Sequence, residues 1–271
     1  MENRKKREKE KTEIVNMLVL FLIMLFYINI DAVTAIQPYG ANYTQVKTET
    51  APLDSPQSIP AQAGNVTELN IFGFSTTQSW QGYFGNVTGT IQLADANDKA
   101  MYNWSLASPE GEVYSSTNGT GIQWANTQCF NFTALGNYTA ESGTGGTTNL
   151  YGTNLSQLEA RFTIAGDDVD GVDETFASLN HSLFYTSNRE FNYGECKSTN
   201  IFSDSGEGEP WKFEEVLLYE PVSTSVIFTS ILDENALGFD SAAHDFEMLV
   251  LEDGHNTDTQ VTQYFFYVEL Q

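Results

Sequence analysis

Basic residues are scarce in this chain, and half of them lie at its N-terminal end. The 271 residues hold 12 lysines and arginines against 36 aspartates and glutamates. Six basic and thirty-one acidic residues follow residue 35, which gives residues 36–271 a net charge of −25. Nucleic acids and anionic lipid surfaces are polyanionic, so a chain this acidic repels both. Neither is expected as a partner, and contact with a membrane is expected only through the N-terminal segment.

Histidine and cysteine are also rare, which narrows the chemistry that the chain can carry. There are three histidines and two cysteines, with no H-x-x-x-H or C-x-x-C spacing, so a structural zinc site is not expected. The G-x-S-x-G elbow of serine hydrolases is missing. Carboxylates are so abundant that a pair of them does not indicate glycoside hydrolysis. We therefore expect no enzymatic activity.

The N-terminus carries a targeting signal. A basic head, residues 4–11, precedes an apolar run, residues 14–30, and small residues at Val33 and Ala35 fit cleavage after Ala35. Residues 1–35 are predicted to be a signal peptide. An uncleaved signal-anchor helix over residues 14–30 is the alternative, because seventeen residues reach the lower limit for a membrane span. Both alternatives predict an extracellular or cell-surface protein, since the basic residues precede the run.

The two cysteines, Cys129 and Cys196, both lie in the exported part. A pair of cysteines in an oxidising compartment most simply forms one disulfide. We predict that they are bonded to each other.

N-glycosylation sequons are more frequent than composition explains. Nine occur, at Asn42, Asn65, Asn86, Asn103, Asn118, Asn131, Asn137, Asn154 and Asn180. The alternative is that an Asn-, Ser- and Thr-rich β-protein matches the pattern without being modified. Around Asn103, Tyr102 and Trp104 alternate with the acceptor, so Asn103 faces solvent if the aromatic side chains face the core.

All nine sequons precede residue 183. Because a solvated glycan cannot be buried in an interface, residues 183–271 are predicted to pack against a neighbour, the cell surface or another copy. The alternative is that they supply central strands with few exposed loops.

Strand patterns dominate after a proline-rich beginning. Four of the seven prolines fall in residues 36–64, which predicts an extended linker or stalk. Residues 134–158 are predicted to form a long surface loop, and residues 172–179 one short helix. The predicted strands are residues 90–93, 100–106, 112–115, 160–164, 213–219, 222–231, 246–251 and 263–270. The last four are apolar on both faces, as in central strands. The sequence predicts an all-β, antiparallel β-sandwich domain over residues 65–271.

Several short segments together resemble a known group of sequences. They are residues 79–89 (SWQGYFGNVTG), 102–104 (YNW), 111–114 (GEVY), 213–218 (FEEVLL), 238–240 (GFD) and 245–250 (DFEMLV), with the ending 264–270. This pattern resembles uncharacterised secreted proteins of archaea. The resemblance covers roughly residues 65–271 and implies one surface-exposed domain. It implies no activity and assigns no functional residues.

An acidic loop is the best candidate for a binding site. Its carboxylates are Asp167, Asp168, Asp170, Asp173 and Glu174. Ca²⁺ prefers several oxygen ligands, and Gly171 permits a sharp turn between them. The EF-hand pattern is not met, because Gly166 occupies its first position when Gly171 is taken as the sixth. A solvated acidic turn is the alternative. Asp204, Glu207 and Glu209 form a second, weaker candidate.

Trp80, Tyr83 and Phe84 lie among glycines beside a sequon. Aromatic side chains in such a loop can stack on a sugar or another ligand, whereas at the start of a strand they pack in the core.

The targeting signal, the sequons, the acidity and the cysteine pair together favour an exported, N-glycosylated cell-surface protein with a structural or adhesive role. A carbohydrate- or ligand-binding module is the alternative. The expected partner is a surface protein, a glycan or a second copy of the chain.

Overall fold

The computed structural model describes residues 37–271, except residues 53, 106–108, 133–138, 143–145, 150–152 and 256–257. The predicted signal peptide and the apolar run of residues 14–30 lie outside the described residues. Within the described part, no helix has the length and the apolar character needed to cross a membrane.

Most of the regular secondary structure in the described chain is antiparallel strand. The strands are β1 Tyr39–Gly40, β2 Trp80–Gly85, β3 Thr90–Ala94, β4 Ala100–Ser105, β5 Gly111–Ser116, β6 Gln128–Cys129, β7 Thr139–Ser142, β8 Gly146–Asn149, β9 Phe184–Thr186, β10 Arg189–Phe191, β11 Ser198–Asn200, β12 Glu214–Glu220, β13 Ser225–Ile231, β14 Ala236–Leu237, β15 Ala243–His244, β16 Phe246–Leu251 and β17 Phe265–Leu270. Two short α-helices, α1 Leu155–Arg161 and α2 Val172–Thr175, and a 3-10 turn, Trp124–Asn126, complete the described elements.

A seven-stranded sheet forms the centre of the domain. Its strands run in the order β1-β17-β5-β13-β12-β11, and β6 also pairs with β12. The pairs β2/β16, β3/β4, β7/β8, β9/β10 and β14/β15 form two-stranded sheets. Every described pair is antiparallel. The predicted all-β class is therefore confirmed.

Two of the four predicted central strands, β12 and β13, are buried on both faces, whereas β16 belongs to a two-stranded sheet and β17 is partly exposed. All seven residues of β12 are buried. On one face, Leu217 and Tyr219 join a core that includes residues of α1, α2 and β16. On the other face, Val216 and Leu218 pack with Trp124 and with aromatic residues of β9 and β10. The sheet thus separates two hydrophobic clusters.

Helix α1 replaces a predicted strand. Residues 160–164 alternate like a strand, but Ala160 and Arg161 end α1. The helix forms because Asn154 and Gln157 make a capping box that satisfies main-chain donors at its first turn. The predicted loop, residues 134–158, likewise contains β7, β8 and the start of α1. The predicted short helix is present as α2, which ends earlier, at Thr175.

The linker of residues 36–64 begins on the domain rather than away from it. Tyr39 and Gly40 form β1 and pair with Val268 and Tyr267 of β17. The ring of Tyr43 lies 6.0 Å from that of Phe266. From residue 44 to residue 78 the described chain is exposed and forms no helix or strand.

β3 and β4 form a hairpin, and its aromatic side chains do not face a core although Asn103 is exposed. Tyr102 and Trp104 are 60% and 50% exposed, with their rings 4.8 Å apart. Asn103 is exposed as well. Alternation separates the two faces of a strand, but it does not say whether another layer covers either of them.

The predicted disulfide between Cys129 and Cys196 is confirmed. Their Cα atoms lie 5.1 Å apart across a sequence separation of 67 residues. Cys129 ends β6, and Cys196 lies just before β11, so the bond joins two strands that both pair with β12. Closing a loop of this length stabilises a fold by about 4 kcal/mol in the chain-entropy model.

Candidate functional site

The acidic loop connects α1 to α2, and its own side chains fix its shape. The Asp168 carboxylate accepts a hydrogen bond from Ala165 N at 2.7 Å. Asp170 is held from outside the loop, because its Oδ2 accepts from the Thr77 hydroxyl at 2.6 Å. Its carbonyl accepts from Trp80 Nε1 at 2.6 Å. The loop is therefore anchored to the beginning of β2.

Three carboxylates converge beside this loop and form a cluster of Glu159, Asp173 and Glu174. One oxygen from each lies within 4.8 Å of the others. Glu159 comes from α1 and is 5% exposed, whereas Asp173 and Glu174 come from the first turn of α2. We call this group the carboxylate cluster.

Gly171 leaves room at the centre of the carboxylate cluster. A side chain at this position would collide with Glu174 Oε2. It would also lie 3.1 Å from the Asp168 carbonyl oxygen and 3.5 Å from Glu159 Oε1. Oxygens of Glu159, Asp168 and Glu174 thus surround Gly171, where a larger side chain would require the Glu174 carboxylate to move.

The charges in the carboxylate cluster oppose one another. Burial raises the pKa of Glu159, and the negative charges of Asp173 and Glu174 raise it further. A hydrogen bond from Val172 N at 3.3 Å opposes this rise. Such a group reduces its repulsion by holding a proton or by binding a cation. Oxygen ligands of flexible geometry are those that Ca²⁺ prefers.

The structure gathers part of the predicted metal set and adds one residue. Asp173 and Glu174 join the carboxylate cluster, and Asp168 turns its carbonyl toward it. Asp167 is exposed, and the Asp170 carboxylate binds Thr77 instead. Glu159 was missed because the sequence predicts a loop over residues 134–158 and a strand over residues 160–164, and therefore no helix that carries Glu159 toward α2. The capping box at Asn154 and Gln157 is the sequence signal that could have identified its helix.

The second acidic candidate does not form a comparable group among the described residues. Glu209 pairs with Lys212 at 2.8 Å. The hydrogen bond from Lys212 lowers the pKa of Glu209 to about 2. Asp204 and Glu207 are exposed.

Trp80, Tyr83 and Phe84 do not share one exposed platform. Trp80 packs against Phe176 with ring centres 6.1 Å apart and donates its indole hydrogen bond to the acidic loop. Tyr83 packs edge-on against Phe266 at 5.1 Å. Phe84 is 39% exposed and lies edge-on against Phe239 at 5.0 Å. The first two side chains therefore belong to the core.

The sequon asparagines differ in how accessible they are. Asn42, Asn65, Asn86, Asn103 and Asn131 are exposed, Asn118, Asn154 and Asn180 are half-buried, and Asn137 lies outside the described residues. The Asn118 amide nitrogen donates to Ser225 Oγ at 2.6 Å and to the Ser223 carbonyl at 3.3 Å. That nitrogen is the atom to which a glycan would be attached, so Asn118 stabilises the turn after β12.

A shallow cleft of about 250 Å³ lies beside the sequon at Asn86. Asp245 lines this cleft. Both oxygens of its carboxylate accept main-chain hydrogen bonds, from Val87 N at 2.8 Å and from Asn235 N at 3.0 Å. This carboxylate therefore holds two loops together rather than facing a reactant.

Among the histidines, His181 is fully buried beside the disulfide. Its Nε2 accepts a hydrogen bond from Cys196 N at 2.9 Å, so the ring proton lies on Nδ1, 2.7 Å from the Ser182 carbonyl. The ring has a structural role at this junction.

Comparison of the chain with protein families, curated proteins and solved structures gives no match.

Proposed function

We propose that the chain is an exported, N-glycosylated cell-surface protein with a structural or adhesive role. The Cys129–Cys196 disulfide is the observation that carries the proposal, because such bonds persist mainly in oxidising compartments. Exposed sequon asparagines, the charge of −25 and the resemblance to secreted archaeal proteins support the same conclusion.

The domain fits a β-sandwich in which the β2/β16 pair covers one face of the central sheet. Ser230 of β13 donates a hydrogen bond to the Glu247 carbonyl of β16 at 2.8 Å. The buried Glu215 of β12 accepts one from Leu249 N at 2.9 Å. Calcium bound at the carboxylate cluster would stabilise the folded domain outside the cell, where Ca²⁺ is abundant.

The proposal is tested by protease treatment of intact cells that express the full chain with a C-terminal epitope tag. We expect the tag to be cleaved without lysis, or to be recovered from the medium, while a cytoplasmic marker stays intact. Replacing Asn42, Asn65, Asn86, Asn103 and Asn131 with Gln should lower the mass of the exported protein by the attached sugars. A tag that is protected until the cells are lysed would overturn the proposal.

If the chain is instead a ligand-binding module, the exposed pair Phe84 and Phe239 is the aromatic surface best placed to contact the ligand. Phe84 and Phe239 are 39% and 52% exposed and lie beside His244, which contacts Asp240 at 2.8 Å. Binding on a glycan array that is lost in Phe84→Ala and Phe239→Ala, but kept in the control Phe202→Ala, would favour it. Phe202 is similarly exposed, at 55%.

A further inference from the structure

An apolar segment, residues 66–74, lies in solvent without packing. Val66, Ile71 and Phe72 are 101%, 86% and 91% exposed, and Leu69 and Phe74 are more than half exposed. A single exposed apolar side chain is ordinary, but five within nine residues mark a binding surface. We call residues 66–74 the donor segment.

The main chain of the donor segment is also unpartnered. It belongs to no strand, and its N–H and C=O groups make no hydrogen bond to other described residues. It holds no proline, and its Val, Ile and Phe residues favour strands. An extended apolar segment with free main-chain groups is suited to adding a strand to an exposed sheet edge.

The β3/β4 hairpin offers such an edge. Each of its strands pairs only with the other in the described structure, and two-stranded sheets are marginally stable alone. Ile91 lies opposite Trp104, and Leu93 lies opposite Tyr102. These four side chains share one face and are 45–60% exposed. A third strand would extend this apolar face and cover part of it.

The chain carries both a strand donor and an open strand edge, so we assign a second copy as the occupant, and the few charges on these two surfaces are compatible with that assignment. Two bodies with a net charge of −25 repel each other over most of their surfaces. The strand residues of β3 and β4 include no charged side chain, and the donor segment includes only Glu68. These are surfaces through which two copies can meet with little repulsion.

The sequon at Asn103 leaves one edge of the hairpin open. Asn103 lies on β4 opposite Gln92, on the face away from Tyr102 and Trp104. A glycan there is compatible with strand addition at the outer edge of β3, on the far side of β3 from β4, and a glycan on Asn65 requires the added strand to begin after the Asn65-Val66-Thr67 sequon.

The connections of β2 favour pairing between copies over pairing within one copy. The donor segment reaches β2 at Trp80 through residues 75–79, and the hairpin leaves β2 at Gly85 through residues 86–89. Six strand residues span about 20 Å, and β2 is held along its length by β16. Donor and acceptor thus leave from opposite ends of a fixed strand.

We propose that the donor segment of one copy adds as a strand to the outer edge of β3 in the next copy. Each copy presents one donor and one acceptor, so the contact is heterologous and repeats into a linear, head-to-tail polymer. This inference deepens the proposed structural role. It concerns the purified protein alone, so its failure and a failure of surface exposure are distinguishable.

Sedimentation velocity of the exported protein over a range of concentrations tests the proposal. The donor variant is Ile71→Asp with Phe72→Asp, the acceptor variant is Ile91→Asp with Leu93→Asp, and the control is Val46→Asp with Val261→Asp at two exposed sites outside both surfaces. We expect the parent and the control to form concentration-dependent oligomers and each variant to be monomeric. An equimolar mixture of the two variants should form a dimer and nothing larger, because only one intact contact can form.

A cross-linking experiment does not depend on the charged variants folding. Protein carrying Phe72→Cys is mixed with protein carrying Leu93→Cys under mild oxidation, and we expect a disulfide-linked heterodimer. Val46→Cys in place of Phe72→Cys should give none. A parent that stays monomeric at every concentration, a donor variant that still associates, or a variant mixture without dimer would each overturn the proposal.

Discussion

Glu112 and Glu269 face each other across β5 and β17, and both are almost fully buried. The Tyr114 hydroxyl lies 3.4 Å from one carboxylate and 3.3 Å from the other. Burial raises the pKa of Glu112 to about 8 and also raises the pKa of Glu269. The described part of the chain places no Lys or Arg in an ion pair with them, so protonation, rather than a cationic side chain, relieves the repulsion between the two carboxylates.

Stability should therefore fall as the pH rises. The pKa of Glu112 is higher in the folded state than in the unfolded one, so its stabilising contribution is complete below about pH 4.5 and is lost as the pH approaches 8. Each unit of pKa shift corresponds to about 1.4 kcal/mol. In Glu112→Gln, we expect the loss of unfolding free energy between pH 5 and 8.5 to be smaller than in the parent, by about 2 kcal/mol or more.

Urea unfolding across this pH range measures the effect. Glu110→Gln, at an exposed position two residues earlier, is the matched control and should keep the full pH dependence of the parent. Identical slopes for the parent and Glu112→Gln would contradict the assignment.

Asn118 should act as a structural residue rather than a glycan acceptor. Removing its amide hydrogen bonds to Ser223 and Ser225 in Asn118→Ala should lower the unfolding free energy by about 1–3 kcal/mol. Thr120→Ala destroys the same sequon while leaving the Asn118 side chain. It should change neither the free energy of unfolding nor the mass of sugar attached to the protein. A loss of mass in Thr120→Ala would show that Asn118 is glycosylated.

At the scale of elements, α1 depends on its cap. Asn154 accepts from Gln157 N at 2.9 Å, and replacing such a cap with alanine costs about 1 kcal/mol. Asn154→Ala should therefore destabilise α1 and displace Glu159 from the carboxylate cluster. Asn154→Asp retains a good cap but removes the sequon, and should resemble the parent in thermal unfolding. Equal destabilisation of both variants would point to the glycan instead of the cap.

The β3/β4 hairpin has paired strands but no packed layer over its apolar face in the described structure. Its alternation was predictable, because cross-strand pairing needs only local turn and strand signals. Whether its apolar face is covered depends on the layers packed around it, and in the described structure that face is half exposed.

At the scale of the whole molecule, we expect the excess of acidic residues to make stability depend on cations. If Ca²⁺ binds the carboxylate cluster in the folded state alone, a free Ca²⁺ concentration 100-fold above its Kd raises the free energy of unfolding by about 2.7 kcal/mol. We expect Ca²⁺ to raise the melting temperature and a chelator to reverse this. Glu174→Gln should weaken the response, whereas Glu207→Gln, at an exposed acid outside the cluster, should not. NaCl at equal ionic strength controls for screening, and superimposable melting curves with calcium and with chelator would exclude the site.

The sequon-free region, residues 183–271, supplies the central strands β12 and β13. Their complete or nearly complete burial favours the alternative interpretation of that region, in which few exposed positions are left for glycans. Its role as an interacting face stays a prediction.

The sequence by itself determined the features that depend on local patterns and composition. Apolar runs predicted the buried strands β12 and β13, and a single pair of cysteines predicted one disulfide. A continuous apolar run and the number of cysteines can be read without knowledge of distant contacts, which is why these two predictions were right.

Which distant residues meet depends on the packing of the folded chain. Glu159 reaches Asp173 and Glu174 only because α1 and α2 pack across a loop, and Trp80 turns inward because the acidic loop offers it a carbonyl. Tyr102 and Trp104 stay exposed because no described layer covers their hairpin. These outcomes depend on packing between segments far apart in the chain, and no local pattern encodes that packing.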